Sequence, residues 1–524
     1  MNTSVRETFK FSILSLAILN CASISFSAFS SVNDKDIETL VTTVNRTQTQ
    51  HLDLIGNTNK ITKQSIEQSN AEHLNQLLSQ ASSTWLSRGN GQESLLSVRS
   101  PVLTGAGSCA EFLTLENGIN LRAPGFCNVN QLFDTHFELA DNIEVVKGAN
   151  SSRYGSNAIH GTINVFSPSL YATPMVSLEL GEDSFYRVNG LYSQQTDTLD
   201  ALVGLTLTSD GGFQDSSGYE QQKLSLAAAH SLGDWQTTHR VTLTNLEQDT
   251  AGYLQRGENA YQDKSLLRIN DFPDAYRNSV SMRYSMFNTL NTQHAVWQVN
   301  PYLRYTDMDF LMHFLPGTPV EENGHSSMGL QVRRASQLSD MLSLTLGSDI
   351  DITRGFLKQN QANNTESDSA FLRGVIPKGQ HYDYKVDSLN LATYAQLDAK
   401  ITNEHNAFAA VRYDNTNYDY QNNLSTGNLK DDGTACGFGG CRYTRPASQS
   451  NQFDDVSYAL GYSYKIDKQT RFFGKYDQSF RAPHTSELYR LQDGQLTSDV
   501  KSAEARQTEV GVRYADKNLF AELS

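Results

Sequence analysis

From Pro168 onward, apolar and polar residues alternate with a period of two, in segments of roughly 10 to 15 residues separated by polar turns. Leu199, Ala201, Val203, Leu205 and Leu207 are apolar, with Asp200, Gly204, Thr206 and Thr208 between them. Leu342, Leu344 and Leu346 alternate with Ser343, Thr345 and Gly347. The clearest case is Val456, Tyr458, Leu460, Tyr462, Tyr464 and Ile466, interleaved with Asp455, Ser457, Ala459, Gly461, Ser463 and Lys465. Successive side chains of a strand point to opposite faces, so each segment offers one face to lipid and the other to water. Soluble sandwich strands alternate too, but average about half this length. The pattern predicts a membrane β-barrel over residues 168–524 with about 14 to 15 antiparallel strands. Connections are of two kinds. Gly233-Asp234 and Thr402-Asn403-Glu404 are short, whereas 249–274, 354–384 and 419–451 read as long loops.

Before Pro168 the grammar differs. Residues 31–59 are polar without a helical period and read as an arm, and 60–167 read as a small α/β domain. Leu74, Leu77, Leu78 and Ala81 keep the spacing of a helix with one buried face, with Asn70 as its expected cap. Phe112–Leu115 and Ile119–Leu121 flank Asn117-Gly118, a hairpin signal because both central residues must take positive φ. Ile143–Val146 and Thr162–Phe166 are apolar runs of strand length. Residues 1–30 have the form of a secretory signal: Arg6 and Lys10, an apolar stretch from Phe11 to Phe29, and Ala28-Phe29-Ser30 before a cut at Ser31. Cys21 is expected to leave with it.

Composition narrows the class. The formal net charge of −15 disfavours nucleic acid as a partner. No run of 18 apolar residues occurs, which excludes a bundle of transmembrane helices. The 24 Tyr, 24 Phe and 35 Gly fit a barrel with aromatic girdles. After the signal, Cys109, Cys127, Cys436 and Cys441 remain, an even count that reads as disulfides in an exported protein. Local pairing, 109 with 127 and 436 with 441, is the simplest of three connectivities; a zinc site at Cys436–Cys441 is the rival, without nearby third and fourth ligands. Motifs for a serine hydrolase, a zinc protease or a phosphate loop are absent, so no enzyme activity and no cofactor are expected.

The segment Ile143-Glu-Val-Val-Lys-Gly-Ala-Asn-Ser-Ser-Arg-Tyr-Gly-Ser-Asn-Ala-Ile-His-Gly-Thr-Ile-Asn-Val165 resembles the end of the plug domain of TonB-dependent outer-membrane receptors. Ala149 stands where that family usually has Pro, and His160 where it has Gly. Leu115-Glu-Asn-Gly-Ile119 resembles the family's plug hairpin and Ser97-Val-Arg-Ser100 one of its strands. Tyr476-Asp-Gln-Ser-Phe-Arg-Ala-Pro483 with Glu487-Leu-Tyr489 resembles a recurrent barrel motif. Glu38, Thr39, Leu40, Val41, Thr42, Thr43 and Val44 are similar to the TonB box, a β-prone segment able to add to a partner's sheet edge.

The resemblance implies an α/β plug inside a barrel of 22 strands in the outer membrane of a Gram-negative bacterium, with periplasmic TonB as energy-transducing partner and lipid around the wall. The function implied is active uptake of a scarce solute, a ferric siderophore first, with haem or cobalamin as alternatives; a passive porin-like or adhesive barrel is the rival class. On this expectation the chain ends inside a strand, about seven strands short. Arg153 and Lys147, beside Glu144, are expected to pair with barrel-wall charges. Ligand capture is expected where loops meet the plug: Arg122 and Phe126 from the plug, Tyr253, Arg256, Tyr261, His313 and Arg442 from the barrel side. The equally weighted alternative has Arg122 paired to a nearby carboxylate and Phe126 in the plug core. His484 is a candidate iron ligand for haem, and Met308, Met312 and His313 could hold a soft metal. No resident metal is expected.

Overall fold

Asn117 and Gly118 take φ of 52° and 82° and close the expected hairpin, and from this point the N-terminal domain can be built outward. The computed structural model describes residues 40–41, 43, 46, 49–89, 91–99, 111–126, 131–252, 254, 262–516 and 519–524. In chain order these residues form β1 (Leu40–Val41), β2 (Thr49–Gln50), β3 (Thr58–Thr62), α1 (Lys63–Ser69), α2 (Leu74–Leu78), β4 (Thr84–Arg88), β5 (Ser94–Val98), β6 (Leu113–Glu116), β7 (Ile119–Asn120), β8 (Asn142–Lys147), α3 (Ser151–Tyr154) and β9 (Gly161–Phe166). A five-stranded sheet of order β3-β8-β9-β6-β7 carries α1 and α2. Its core includes Ile61, Leu77, Leu78, Phe112, Ile143 and Ile163.

The cap of α2 is not Asn70. Asn70 is left-handed (φ 42°) and closes α1, while His73 is extended and accepts the Asn75 N–H at 3.0 Å. Asn tolerates the left-handed region that ends a helix; an N-cap needs β-region backbone, which His73 supplies.

The second part comprises β10 (Met175–Leu180), β11 (Tyr186–Gln195), β12 (Asp200–Asp210), β13 (Tyr219–Leu232), β14 (Trp235–Asp249), β15 (Tyr276–Asn291), β16 (Ala295–Leu311), β17 (Val320–Ser339), β18 (Leu342–Gln361), α4 (Ala370–Val375), β19 (Gly379–Lys400) and β20 (His405–Asn422). It continues with β21 (Tyr443–Thr444), β22 (Gln449–Lys465), β23 (Thr470–Arg481), α5 (Thr485–Tyr489), β24 (Leu491–Gln492), β25 (Ala503–Ala515) and β26 (Phe520–Leu523). All but β21 and β24 form one antiparallel sheet of fifteen strands, in sequence order from β10 to β26. The sheet is inside out by soluble standards. Val456 and Leu460 on β22 are 50% and 53% exposed, while Ser457 and Ser463 between and beyond them are 0% and 3%. Apolar side chains outside and polar ones inside is the order a strand takes in lipid. No helix among the described residues is long and apolar enough to cross a membrane.

Leu232 pairs with Trp235 across Gly233-Asp234, as the short turn required. The long connection 250–275 lies as expected, but the one expected at 354–384 shrinks to 362–378 around α4. There β18 and β19 keep pairing although their outward residues turn polar, as in the exposed Arg354–Asp387 pair (2.6 Å). Alternation of hydrophobicity stops where the strand leaves the lipid, not where it ends.

The plug is fastened to the wall by charges other than those expected. Arg283 reaches Glu116 (3.0 Å), Lys223 reaches Glu138 (2.8 Å) and Arg99 reaches Glu509 (2.6 Å). Lys147 instead donates to Ser82 within the plug (2.7 Å). Arg153 stacks over the Phe408 ring (4.7 Å) and makes no side-chain hydrogen bond among the described residues.

Candidate functional site

Residues 122–126 of the plug, taken as its apex, dock on the barrel wall through local features. The Gly125 carbonyl accepts from the backbone N–H and the hydroxyl of Thr485, both at 3.1 Å. Gly125 has φ +80°, and a Cβ there would collide with the Tyr418 hydroxyl. Phe126 lies against the bare backbone of Gly355 and meets His325 (ring centroids 5.9 Å) and Tyr418 (6.5 Å, edge on). Thr485 opens α5 directly after the Phe480-Arg-Ala-Pro483 motif. That turn is held by Arg481, which donates to Glu487 at 2.7 and 3.1 Å. A recurrent motif of the wall therefore positions the plug apex.

Above the apex lies a cavity of about 340 Å³ bounded by plug and wall together. Plug residues Arg88, Glu93, Arg122 and Phe126 line one side; Arg277, Phe310, Glu321, His325, Phe356, Tyr384 and Arg490 line the other. A neighbouring cavity of about 560 Å³ shares Arg88, Glu93, Arg277 and Phe314 with it and adds His313. Small-solute sites share the first cavity's concave form and its placed polar groups, although its lining mixes polar and apolar surface in nearly equal parts.

The charged groups are already engaged. Arg122 donates to Asp134 at 3.0 Å, and both side chains are buried. Arg277 pairs with Glu93 (2.8 Å) and covers the Phe310 ring (4.2 Å). Arg490 pairs with Glu321 (2.9 Å). Burial lowers the pKa of His313, opposed by Glu93. Its ring packs on Phe272 at 4.8 Å.

Of the residues singled out from sequence, Arg122 and Phe126 meet in the first cavity and His313 stands in the second. Arg442 lines neither; its side chain is exposed, and its backbone N–H donates to the Val375 carbonyl at 2.9 Å. Tyr253, Arg256, Tyr261, Cys109 and Cys127 lie outside the described residues, as do the signal segment and Glu38, Thr39, Thr42 and Val44 of the arm. Cys436 and Cys441 are joined as a disulfide, with Cα atoms 4.9 Å apart, in the loop between β20 and β22. His484 is fully buried and does not line the cavity. Met308 and Met312 are buried too, their sulfurs accepting from Arg277 (3.3 Å) and Gln359 (3.1 Å). Among the described residues, no group of three His, Cys, Asp or Glu could hold a metal. Sequence reasoning missed His325, Glu321, Arg490 and Arg277, for which nothing local gives a signal, and Thr485, which the motif at 480–489 could have marked.

The arm is also placed. Leu40 pairs with Gln50 and Val41 with Thr49, an antiparallel pairing of the chain with itself. Thr43 is fully buried; its N–H donates to Glu144 on β8 (2.7 Å) and its hydroxyl accepts from Asn164 on β9 (3.0 Å).

Comparison with known proteins agrees with this architecture. Residues 173–524 match the family described as TonB dependent receptor-like, beta-barrel, and residues 50–162 match the TonB-dependent Receptor Plug Domain. The chain is 29% identical over 186 residues to the vitamin B12 transporter BtuB of Vibrio vulnificus, covering 35% of this chain and 29% of that protein. It is 35% identical over 134 residues to the vitamin B12 transporter BtuB of Vibrio cholerae, covering 25% and 20%. These alignments thus span less than a third of the curated relatives' length. Among solved structures, the unliganded ferric citrate transporter FecA superposes with a TM-score of 0.71 at 14% identity, over 90% of this chain and 69% of that one. The ferric yersiniabactin uptake receptor FyuA of Yersinia pestis gives 0.68 at 13%, over 88% and 70%. At such identities the likeness is one of fold.

Proposed function

Because this chain belongs to the TonB-dependent receptor family, whose members are outer-membrane β-barrels rather than enzymes, we propose that it serves active uptake of a scarce small solute across the outer membrane of a Gram-negative bacterium. The observation that carries this reading is the cavity shared by plug and wall. A solute bound there touches Phe126 and Arg122 of the plug and His325 and Arg490 of the wall at once, so its binding bears on how the plug is held. The energy comes from TonB pairing with the backbone of residues 38–44. In the described structure Leu40 and Val41 are paired with β2 in a two-stranded sheet, so a partner strand either replaces β2 or adds to the other edge of β1.

The cargo is a chelated metal. A siderophore is named for one structural neighbour and vitamin B12 for the curated relatives, and these two kinds of metal complex support the reading. The test uses Leu40→Pro and Val41→Pro, which remove a strand donor and fix φ. Energy-dependent uptake by whole cells is expected to fall at least tenfold with equilibrium binding unchanged. Undiminished uptake in both variants, or in cells lacking TonB, would refute the mechanism; loss of binding as well would mark a misfolded variant, to be separated by protease resistance of the barrel.

A further inference from the structure

We infer that the cavity above the plug selects a ligand of zero or at most one net negative charge with flat apolar faces and hydrogen-bond donors, and rejects polyanionic ferric chelates. This rests on the uptake reading above and names the substrate class of the same site.

The first observation is charge balance. Four guanidinium groups line the cavity, and three are neutralised on the spot: Arg122 by Asp134 (3.0 Å), Arg277 by Glu93 (2.8 Å) and Arg490 by Glu321 (2.9 Å). Arg277 and Arg490 also direct N–H groups at the sulfurs of Met308 (3.3 Å) and Met312 (3.5 Å). An anion entering here would have to strip a carboxylate from a partly or fully buried cation and leave that carboxylate unpaired, which costs more than the new pair returns. Among the described lining residues only Arg88 has no carboxylate partner. The described lining of the adjoining cavity adds no further Lys or Arg.

The second observation is the wall itself. Phe126, Phe310, Phe314 and Tyr384 supply apolar faces around those pairs. Flat ligand surfaces gain most from such walls.

The third is His325, 3% exposed, whose Nε2 has no hydrogen-bond partner among the described residues. A relay sets its tautomer. The Asp351 carboxylate is an acceptor only and takes the Thr353 hydroxyl proton (2.8 Å). Thr353 Oγ1 must then accept from Ser327 (2.8 Å), and Ser327 Oγ from His325 Nδ1–H (3.2 Å). Nε2 is left as a bare acceptor in the cavity wall beside Phe126. A donor such as a ligand amide N–H satisfies it; a carboxylate or catecholate oxygen does not.

Equilibrium binding to outer-membrane preparations of the full chain tests this without any energy source. The probes are cyanocobalamin and ferrichrome, both neutral and amide-bearing, and a ferric tris-catecholate carrying three negative charges. A neutral probe is expected to bind at least tenfold tighter than the tris-catecholate, with affinity little changed between 0.05 and 0.5 M salt (chosen as about a threefold change in screening length). Glu93→Gln and Glu321→Gln free Arg277 and Arg490 and are each expected to raise tris-catecholate affinity about tenfold. His325→Phe is expected to weaken the neutral probe about tenfold without improving the anion. Tighter wild-type binding of the tris-catecholate than of both neutral probes, or no gain of anion affinity in either Gln variant, overturns the inference. Failed uptake with neutral-probe binding intact strikes the transport reading and leaves this one standing.

Discussion

A methyl group built on Gly355 would overlap Cε1 of Phe126, so the absence of a side chain on β18 is what lets the plug apex lie against the wall. Gly355→Ala is therefore expected to displace Phe126 and destabilise the folded barrel by about 1–3 kcal/mol. Phe126→Ala in the same chain should recover most of that loss, because the two changes act on one contact. The temperature at which the heat-modifiable barrel band is lost in gels reads this out; additive effects of the two substitutions would disprove the packing account. Arg513 shows the opposite economy, one side chain serving many partners. Its buried guanidinium donates to the carbonyls of His51 (2.7 Å), Leu54 (2.8 Å) and Gly56 (2.8 Å) and to Glu522 (2.6 Å). Each buried carbonyl left unpaired costs about 1–3 kcal/mol. Arg513→Leu should open residues 51–57 to limited proteolysis while the barrel still runs as a folded band; an unchanged cleavage pattern would show that β3 alone holds this segment.

At the scale of elements, what could be read in the chain depends on how far apart the deciding groups lie. The hairpin at Asn117-Gly118 and the strand at Val456–Ile466 were legible because their causes, positive φ and period-two alternation, are local. The ends of β18 and β19 were not, because pairing outlives the lipid that imposes the alternation. Asn70 was assigned to the wrong helix because an Asn serves either end, and only the backbone of His73 decides between them. Cavity residues such as Arg490 and Glu321 are 169 positions apart in the numbering, and Arg513 finds Leu54 across 459, so no spacing rule reaches them. The element around His136 carries a consequence for pH. Thr206 donates to Asn189 (2.8 Å) and so accepts from His136 Nε2–H (2.8 Å), while Nδ1 meets the Ser225 hydroxyl (2.8 Å). Burial holds this imidazole down at about 4, below the usual 6.5; Glu138 and Glu116 pull it up, Lys223 and Arg283 push it down. The unfolded chain takes the proton first, so the contribution is complete above pH 6.5 and is lost as pH falls from 6.5 to about 4, at most about 3 kcal/mol. His51 and His73 are lowered to about 4 as well and add to the same slope. The protection factors of residues 131–141, taken against the intrinsic exchange rate at each pH, should fall as pH drops through that window, and His136→Asn should flatten the dependence. An identical pH profile in that variant would assign the slope to other groups.

Across the whole molecule, Thr43 and Arg46 tie the arm to both the plug sheet and the barrel wall. Thr43 is bonded to Glu144 and Asn164 on two adjacent inner strands of the plug sheet, β8 and β9. Three residues later Arg46 is bonded to the barrel wall: its guanidinium donates to Asp349 (3.2 and 3.3 Å) and to the Tyr394 hydroxyl (3.1 Å), and it covers the Tyr154 ring of the plug at 4.5 Å. Arg333 of the wall donates to the Arg46 carbonyl at 2.6 Å. A pull on residues 38–42 thus reaches the plug sheet through Thr43 before the wall contact at Arg46 bears it. The same bonds hold the arm on the receptor, so a partner that captures residues 38–44 competes with them. Arg46→Ala removes the wall bond and the ring contact but leaves the strand-forming backbone intact. On the proposed function it should expose the arm to protease and raise affinity for a soluble periplasmic TonB domain by about fivefold to twentyfold, in the range of typical coupling energies. Asp349→Asn should act in the same direction and more weakly, since Arg412 retains Asp414 (2.8 Å) and Arg46 retains Tyr394. Leu40→Pro must act the other way, abolishing partner binding whether or not the arm is free. Reduced or unchanged TonB-domain affinity in Arg46→Ala, with the arm demonstrably cleaved faster, would mean that the wall contact presents the segment to its partner instead of withholding it.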